Sequence, residues 1–142
     1  MANAYARNLQ DASLNPAVWA LPTTIALSKA TYSPVVDLGA DTVKPEDIEL
    51  EISVPALTDT MAPVGSTAGV FYFIQTSTTA VFTAVARTIV QANLVGAGSG
   101  VAAQSVRCRL PSDCERYIRG GVYLGTTATD ASALSATLSL RF

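Results

Sequence analysis

The chain has 142 residues, a formal net charge of −2, 14% charged residues and 49% hydrophobic residues. A chain of this length is expected to form one domain that buries roughly 70% of the surface its unfolded form exposes. The acidic balance excludes a nucleic-acid partner, because no basic patch can neutralise many phosphates. The lack of histidine removes the Ser-His-Asp and Cys-His nucleophiles and most zinc sites.

Residues 1–22 are predicted to form an extended N-terminal arm, and residues 23–142 the folded domain. Asparagine, aspartate, serine and proline interrupt any periodic pattern in the arm. Tyr5 and Trp19 are its largest anchors, and a side chain as large as Trp19 must dock on the chain's own domain or on a neighbour. The chain lacks the apolar runs of a signal peptide or a membrane span, so it is expected to be made in the cytoplasm.

The strongest strand signal is the run of residues 47–55. Acidic or hydroxyl side chains alternate there with aliphatic ones, the period of a half-buried strand. The side chains predicted to face the core are Ile48, Leu50, Ile52 and Val54. The opposite face of this strand then carries Glu49 and Glu51.

The second half of the chain is predicted to contain five more strands. Residues 70–76 are apolar on both faces, which predicts a central strand that is covered on both sides, and a short link pairs it with residues 80–90. The last three strands are predicted at residues 101–110, 116–124 and 133–142. With the shorter strand signals at residues 24–32 and 34–39, the pattern predicts an all-β fold, a jelly roll or β-sandwich of about eight antiparallel strands.

No motif predicts a catalytic, metal or cofactor site, so the chain is not expected to be an enzyme. The glycine-rich residues 96–100 lack the Gly-Lys-Ser/Thr and the helix of a phosphate loop. The acidic residues between 37 and 59 lack the spacing of a calcium loop, and any acidic strand offers a carboxylate pair. Cys108 and Cys114 alone cannot complete a zinc site, and their spacing is compatible with free thiols or a disulfide.

An arginine stripe complements the acidic strand face. Its members lie within thirteen residues and are Arg107, Arg109, Arg116 and Arg119. Such a stripe can pair with Glu49 and Glu51 of another copy or with a partner surface, or it can form ordinary ion pairs within the chain. These six residues, together with Tyr5 and Trp19, are the candidate protein-interface residues. A surface poor in charge is also typical of a protein that neighbours cover.

The order of short motifs resembles that of the capsid cement (decoration) proteins of tailed bacteriophages, of the small jelly-roll type found in a Bordetella phage. A Leu-Pro turn at residues 110–111 precedes an Arg-Tyr strand at residues 115–119, and a Gly-Thr turn at residues 125–126 precedes the final strand. The opening segments at residues 30–33 and 36–39 are similar too. The resemblance covers most of the chain.

The resemblance implies a structural virion protein on the outside of an HK97-type head. It would bind the major capsid protein as a dimer or trimer and stabilise contacts between capsomers. Removing residues 1–20 is then expected to leave a folded domain that no longer stabilises shells. The resemblance also places Tyr117 inward with a bonded hydroxyl, and Arg116 outward in an ion pair.

The alternative function is a carbohydrate-binding jelly-roll module of a phage tail or baseplate. Such modules expose aromatic platforms. In this chain the aromatic residues 71–73 and Phe82 are mostly predicted to be core, which favours the cement interpretation.

Overall fold

The protein is a two-sheet β-sandwich. A computed structural model describes residues 16–22, 30–39, 48–61, 70–83, 87–94, 100–124 and 130–141. Its strands are β1 (Ala17–Ala20), β2 (Thr31–Tyr32), β3 (Val36–Asp37), β4 (Glu49–Val54), β5 (Val70–Ser77), β6 (Arg87–Leu94), β7 (Gln104–Arg109), β8 (Tyr117–Leu124) and β9 (Ser135–Arg141). Within these ranges, no helix is long and apolar enough to cross a membrane.

The strand order is that of a jelly roll. One sheet, here sheet A, has the order β1-β9-β4-β7, and sheet B has the order β2-β8-β5-β6, with β3 also paired to β8. All pairings are antiparallel, and successive strands alternate between the sheets except at the β5–β6 hairpin and the β2–β3 pair. Because β2 and β3 share one edge of β8, the nine strands fill eight positions. The predicted jelly roll of about eight antiparallel strands is confirmed.

Ser33 explains how two very short strands share one sheet edge. Its backbone N–H donates to the Gly120 carbonyl at 2.9 Å, and its Oγ accepts from the Gly120 N–H at 2.9 Å. Pro34 follows and has no N–H to offer the ladder. The serine hydroxyl therefore replaces one backbone acceptor where the edge is interrupted between β2 and β3.

The core lies between the sheets and takes alternate residues from each strand. On β4, Leu50 and Ile52 are fully buried and Val54 is 3% exposed. The alternation predicted for residues 47–55 is therefore confirmed. The central position predicted for residues 70–76 is also confirmed, because β5 lies between β8 and β6, but only one face of β5 packs in the core, since Phe71 and Gln75 on the other face are partly exposed. Each fully buried aliphatic side chain contributes about 1.5–3 kcal/mol, so these alternating rows hold the two sheets together.

Part of the predicted arm belongs to the jelly roll, which corrects the boundary drawn after residue 22. β1 pairs with β9 along its whole length, Trp19 and Leu21 are buried in the core, and the Leu21 N–H donates to the Leu134 carbonyl at 3.0 Å. The folded unit therefore includes Ala17. The sequence shows the residues that interrupt a periodic pattern in this segment. It does not show that the segment pairs with β9, because β9 is more than a hundred residues away in the chain. Tyr5 lies outside the described residues.

The strand predicted at residues 80–90 starts too early. Residues 78–83 form turns and bends, and β6 begins only at Arg87. The Phe82 N–H donates to the Thr79 carbonyl at 3.3 Å, and Phe82 has a φ of 51°. A bulky residue in this left-handed conformation cannot continue a strand, so alternation of apolar residues was misleading here.

Candidate functional site

The outer face of sheet A carries a compact charged cluster. The register places Glu51 opposite Arg107, and it places Glu49 between Arg109 on β7 and Arg141 on β9. The Nε of Arg107 lies 3.4 Å from Glu51 Oε2, and Arg141 donates to the same carboxylate oxygen. Ion pairs within the chain, one of the two interpretations left open by the sequence, are therefore present on this face.

Glu51 is buried although it points outward. It is 4% exposed because the longer side chains around it cover the carboxylate. Burial raises the pKa of Glu51, whereas hydrogen bonds from Arg141 and Ser105 lower it. The positive charges of Arg107 and Arg141 add to the lowering, and the pKa of Glu51 ends below its ordinary value of 4.5.

Replacing Glu51 with glutamine is expected to destabilise the protein by about 1–2 kcal/mol near neutral pH, since charge-assisted bonds from half-exposed arginines are lost. A lowered pKa means that the carboxylate stabilises the fold above its ordinary pKa and loses this effect as the pH falls through the folded-state value. The difference between wild type and Glu51→Gln should therefore shrink in urea unfolding below about pH 4.5.

Glu49→Gln is the matched control on the same strand. Glu49 is half-buried and forms no ion pair with any of the described residues. Glu49→Gln is therefore expected to lower the free energy of unfolding by less than Glu51→Gln does. A difference between wild type and Glu51→Gln that stays constant down to about pH 3 would contradict the role given to Glu51.

Arg116 forms a bidentate ion pair with Asp37, which confirms its expected orientation. Its Nε and Nη2 donate to the two carboxylate oxygens at 2.8 and 2.7 Å. Tyr117 was expected to point inward, and this is wrong: it is half-exposed, and its neighbour Ile118 is the fully buried residue. The Arg116 guanidinium lies 5.0 Å from the centroid of the Tyr117 ring. Strand alternation therefore gives the inward position to Ile118.

Arg119 is clamped between two aromatic rings. Its guanidinium carbon lies 3.7 Å from the centroid of Tyr32 and 4.3 Å from that of Phe82. Its Nε and Nη2 donate to Gln75 Oε1 at 3.1 and 2.9 Å. Each cation–π contact at a partly exposed site is worth about 0.5–1 kcal/mol or more. The side chain is therefore held in one orientation, and the left-handed turn at Phe82 supplies the second ring.

Two segments that contact Arg119 or pair with its strand carry exposed apolar side chains. Tyr32 is 42% exposed, Val35 is 39% exposed and Val81 is 79% exposed. Tyr32 contacts Arg119 directly, Val35 lies between the two short strands on the same edge of β8, and Val81 precedes Phe82 in the turn. We call Arg119 with Tyr32, Val35 and Val81 the Arg119 patch. Contiguous exposed apolar side chains mark interaction sites on soluble proteins.

Two consecutive glycines let aromatic rings approach β8 closely from both faces of the sheet. A Cβ at Gly120 would approach the Trp19 ring to 2.7 Å on the core side, and one at Gly121 would approach the Phe73 ring to 2.3 Å on the outer side. Both glycines therefore mark close approach of a ring to the backbone. Sequence reasoning missed this feature, although a Gly-Gly pair inside a strand signals it.

The outer face of sheet B holds an aromatic pocket of about 370 Å³. It is lined by Ala30, Tyr32, Phe73, Gln75, Thr88, Gln91 and Tyr123. Phe71 stacks on Tyr123 with ring centroids 4.4 Å apart. The prediction that residues 71–73 and Phe82 are mostly core is confirmed for Tyr72 and wrong for Phe71, which is half-buried on the outer face of sheet B. Phe73 and Phe82 are each only 7% exposed but lie outside the main core cluster.

The remaining sequence candidates form no site among the described residues. Cys108 and Cys114 are not joined by a disulfide bond, and Thr76 Oγ1 lies 3.4 Å from the Cys114 sulfur. In the described part of the chain, no group of three or more histidine, cysteine, aspartate or glutamate residues could hold a metal ion. Residues 96–99 of the glycine-rich segment and most of the acidic segment before β4 lie outside the described residues.

No protein-family model and no curated protein matches the chain. Among solved structures, it is similar to the K3 cleaved adhesin domain of Lys-gingipain (Kgp) from Porphyromonas gingivalis W83, with a TM-score of 0.44 and 16% sequence identity. The match covers 87% of this chain and 68% of that chain. At this identity and TM-score, the similarity identifies neither a family nor a function.

Proposed function

We propose that the protein is a capsid cement protein of a tailed phage. It binds the major capsid protein on the outside of an HK97-type head, as a dimer or trimer, and stabilises contacts between capsomers. The Arg119 patch is the observation that carries this proposal, together with the family resemblance of the strand that contains it. A decorating protein needs burial and complementarity rather than catalysis.

The patch has the composition of a protein-binding hot spot. Tyrosine and arginine are enriched at the energetic centres of interfaces. Arg119 is already oriented by Gln75 and by the two rings, so binding does not have to order a long side chain. Val81 gives the patch a protruding apolar group. Of the residues selected from the sequence, Arg119 therefore becomes the main candidate, whereas Trp19 is removed because it belongs to the core.

Modest contacts suffice for such a protein. Each copy needs only a small patch, because copies linked in an oligomer engage neighbouring sites at high effective concentration. The weakly charged surface is consistent with this arrangement, since few charges have to be desolvated when a neighbour covers it. Arg109, which makes no ion pair among the described residues, and Glu49 remain candidates for setting the register with a neighbour.

Val81→Asp tests the patch. Placing a charge on the most exposed apolar side chain should weaken binding to expanded phage heads by about tenfold or more, without unfolding the protein. Val18→Asp is the matched control, because Val18 is also an exposed valine, 51% accessible, but lies on the outer face of sheet A. Normal head binding by Val81→Asp, or equal losses in both variants, would place the interface elsewhere.

A further inference from the structure

We infer that the aromatic pocket on sheet B binds a neutral saccharide. This activity goes beyond capsid binding and would let the same protein attach to a glycan. Three sets of observations carry the inference: the shape of the pocket, the polar groups at one side of it, and the neutral character of the described residues that line it.

The shape comes from a missing side chain. Gly121 leaves the space that the Phe73 ring occupies next to β8, and this ring lines the pocket. Tyr32 meets Phe73 edge to face with centroids 6.0 Å apart, and Tyr123 is tilted against it at 6.2 Å. Two tyrosines thus flank a phenylalanine on an open sheet face. Aromatic rings in this arrangement pack against the C–H faces of sugar rings, and tyrosine adds a hydroxyl at the rim.

Neutral polar groups complete the opposite side. Gln75 Oε1 accepts both hydrogen bonds from Arg119, which leaves its amide NH₂ as the group available to a ligand. Gln91 and Thr88 are exposed on the neighbouring strand β6. Amides and hydroxyls both donate and accept hydrogen bonds, which matches the alternating donors and acceptors of vicinal hydroxyl groups. A volume of about 370 Å³ falls within the range of small-ligand sites.

Charge and position favour a neutral ligand over other classes. Among the described residues that line the pocket, none carries a carboxylate, an ammonium or a guanidinium. The nearby guanidinium of Arg119 lies beside the pocket, stacked between Tyr32 and Phe82, so an acidic ligand in the pocket finds no charged partner in the lining itself. An extended peptide usually adds to a sheet edge through its backbone, whereas this pocket lies on the face of sheet B. A neutral saccharide fits both constraints.

The experiment applies the full chain to an array of neutral and acidic glycans, then titrates the strongest neutral glycan while recording amide shifts by NMR. Binding of neutral glycans is expected, with shifts centred on Phe73, Gln75 and Gln91. Tyr123→Ala should weaken binding at least about tenfold, whereas Tyr117→Ala, on the same strand and face but outside the pocket, should not. A second pair of variants makes the same comparison on strand β6: Gln91→Ala, in the pocket lining, should weaken binding, whereas Asn93→Ala, outside it, should not.

Three results would overturn the inference. These are an array without neutral glycan binding, binding restricted to acidic glycans, and neutral glycan binding that Tyr123→Ala and Gln91→Ala leave unchanged. Val81→Asp should bind the glycan as wild type does, so failure of the capsid proposal and failure of the saccharide proposal give different results. If Gln91→Ala instead abolished head binding without any glycan binding, the pocket would be a protein contact.

Discussion

Replacing Trp19 with alanine is expected to lower the free energy of unfolding by about 3–5 kcal/mol, the range for truncating a large core aromatic residue. Trp19 is 6% exposed, and its ring packs against the backbone at Gly120. The substitution leaves a cavity between β1 and β8 that the surrounding strands cannot close without moving. Because the chain has one tryptophan, far-UV circular dichroism in urea, rather than fluorescence, measures the change.

Val18→Ala is the matched control for Trp19→Ala. Val18 is the preceding residue of β1 and is 51% exposed, so its truncation should change stability by no more than about 0.5 kcal/mol. Wild-type stability of Trp19→Ala would contradict the place of this side chain in the core and return it to the candidate interface. By the same reasoning, deleting residues 1–20 should destabilise the domain, because the deletion removes β1.

Gly120→Ala is expected to lower the free energy of unfolding by about 1–3 kcal/mol, the usual cost of overpacking a core. The added methyl group would lie 2.7 Å from Trp19 Cη2 and 3.3 Å from Cζ2, so the ring or the strand must shift. Elsewhere in a chain, glycine to alanine often stabilises by about 0.4–1 kcal/mol through the unfolded state. A lower free energy of unfolding for Gly120→Ala, measured in urea, therefore shows that the added methyl group clashes with the Trp19 ring.

A double-mutant cycle separates this clash from other effects of the new methyl group. In the Trp19→Ala background the ring is gone, and Gly120→Ala should cost little or even stabilise. The two substitutions should therefore be non-additive, by about 0.5–3 kcal/mol for residues in contact. Strict additivity would mean that Trp19 does not pack on Gly120 in solution.

Local features of the fold could be predicted because they depend on residues close in sequence. The alternation at residues 47–55 shows which side chains enter the core, and turn spacing shows the number of strands. Contacts between distant segments could not be predicted in this way. The pairing of β1 with β9, and the rings that need Gly120 and Gly121 to lack a side chain, depend on neighbours that no local pattern specifies.

The candidate site shows the same division. Arg116 was expected to point outward in an ion pair, and strand alternation was enough for that. The environment of Arg119 was not foreseen, because Gln75 lies 44 residues away and Phe82 reaches Arg119 only through a left-handed turn. Residues 71–73 were predicted to be mostly core, but strand alternation places Phe71 and Phe73 on the outer face of sheet B, where Phe73 lines the pocket and Phe71 stacks on Tyr123.

Co-sedimentation of the purified protein with expanded, DNA-free heads of a tailed phage tests the cement proposal most directly. The proposal predicts saturable pelleting of the wild type with the heads, kept by Val18→Asp and weakened by Val81→Asp. Wild-type protein that remains in the supernatant at every head concentration, while folded, would contradict the proposal.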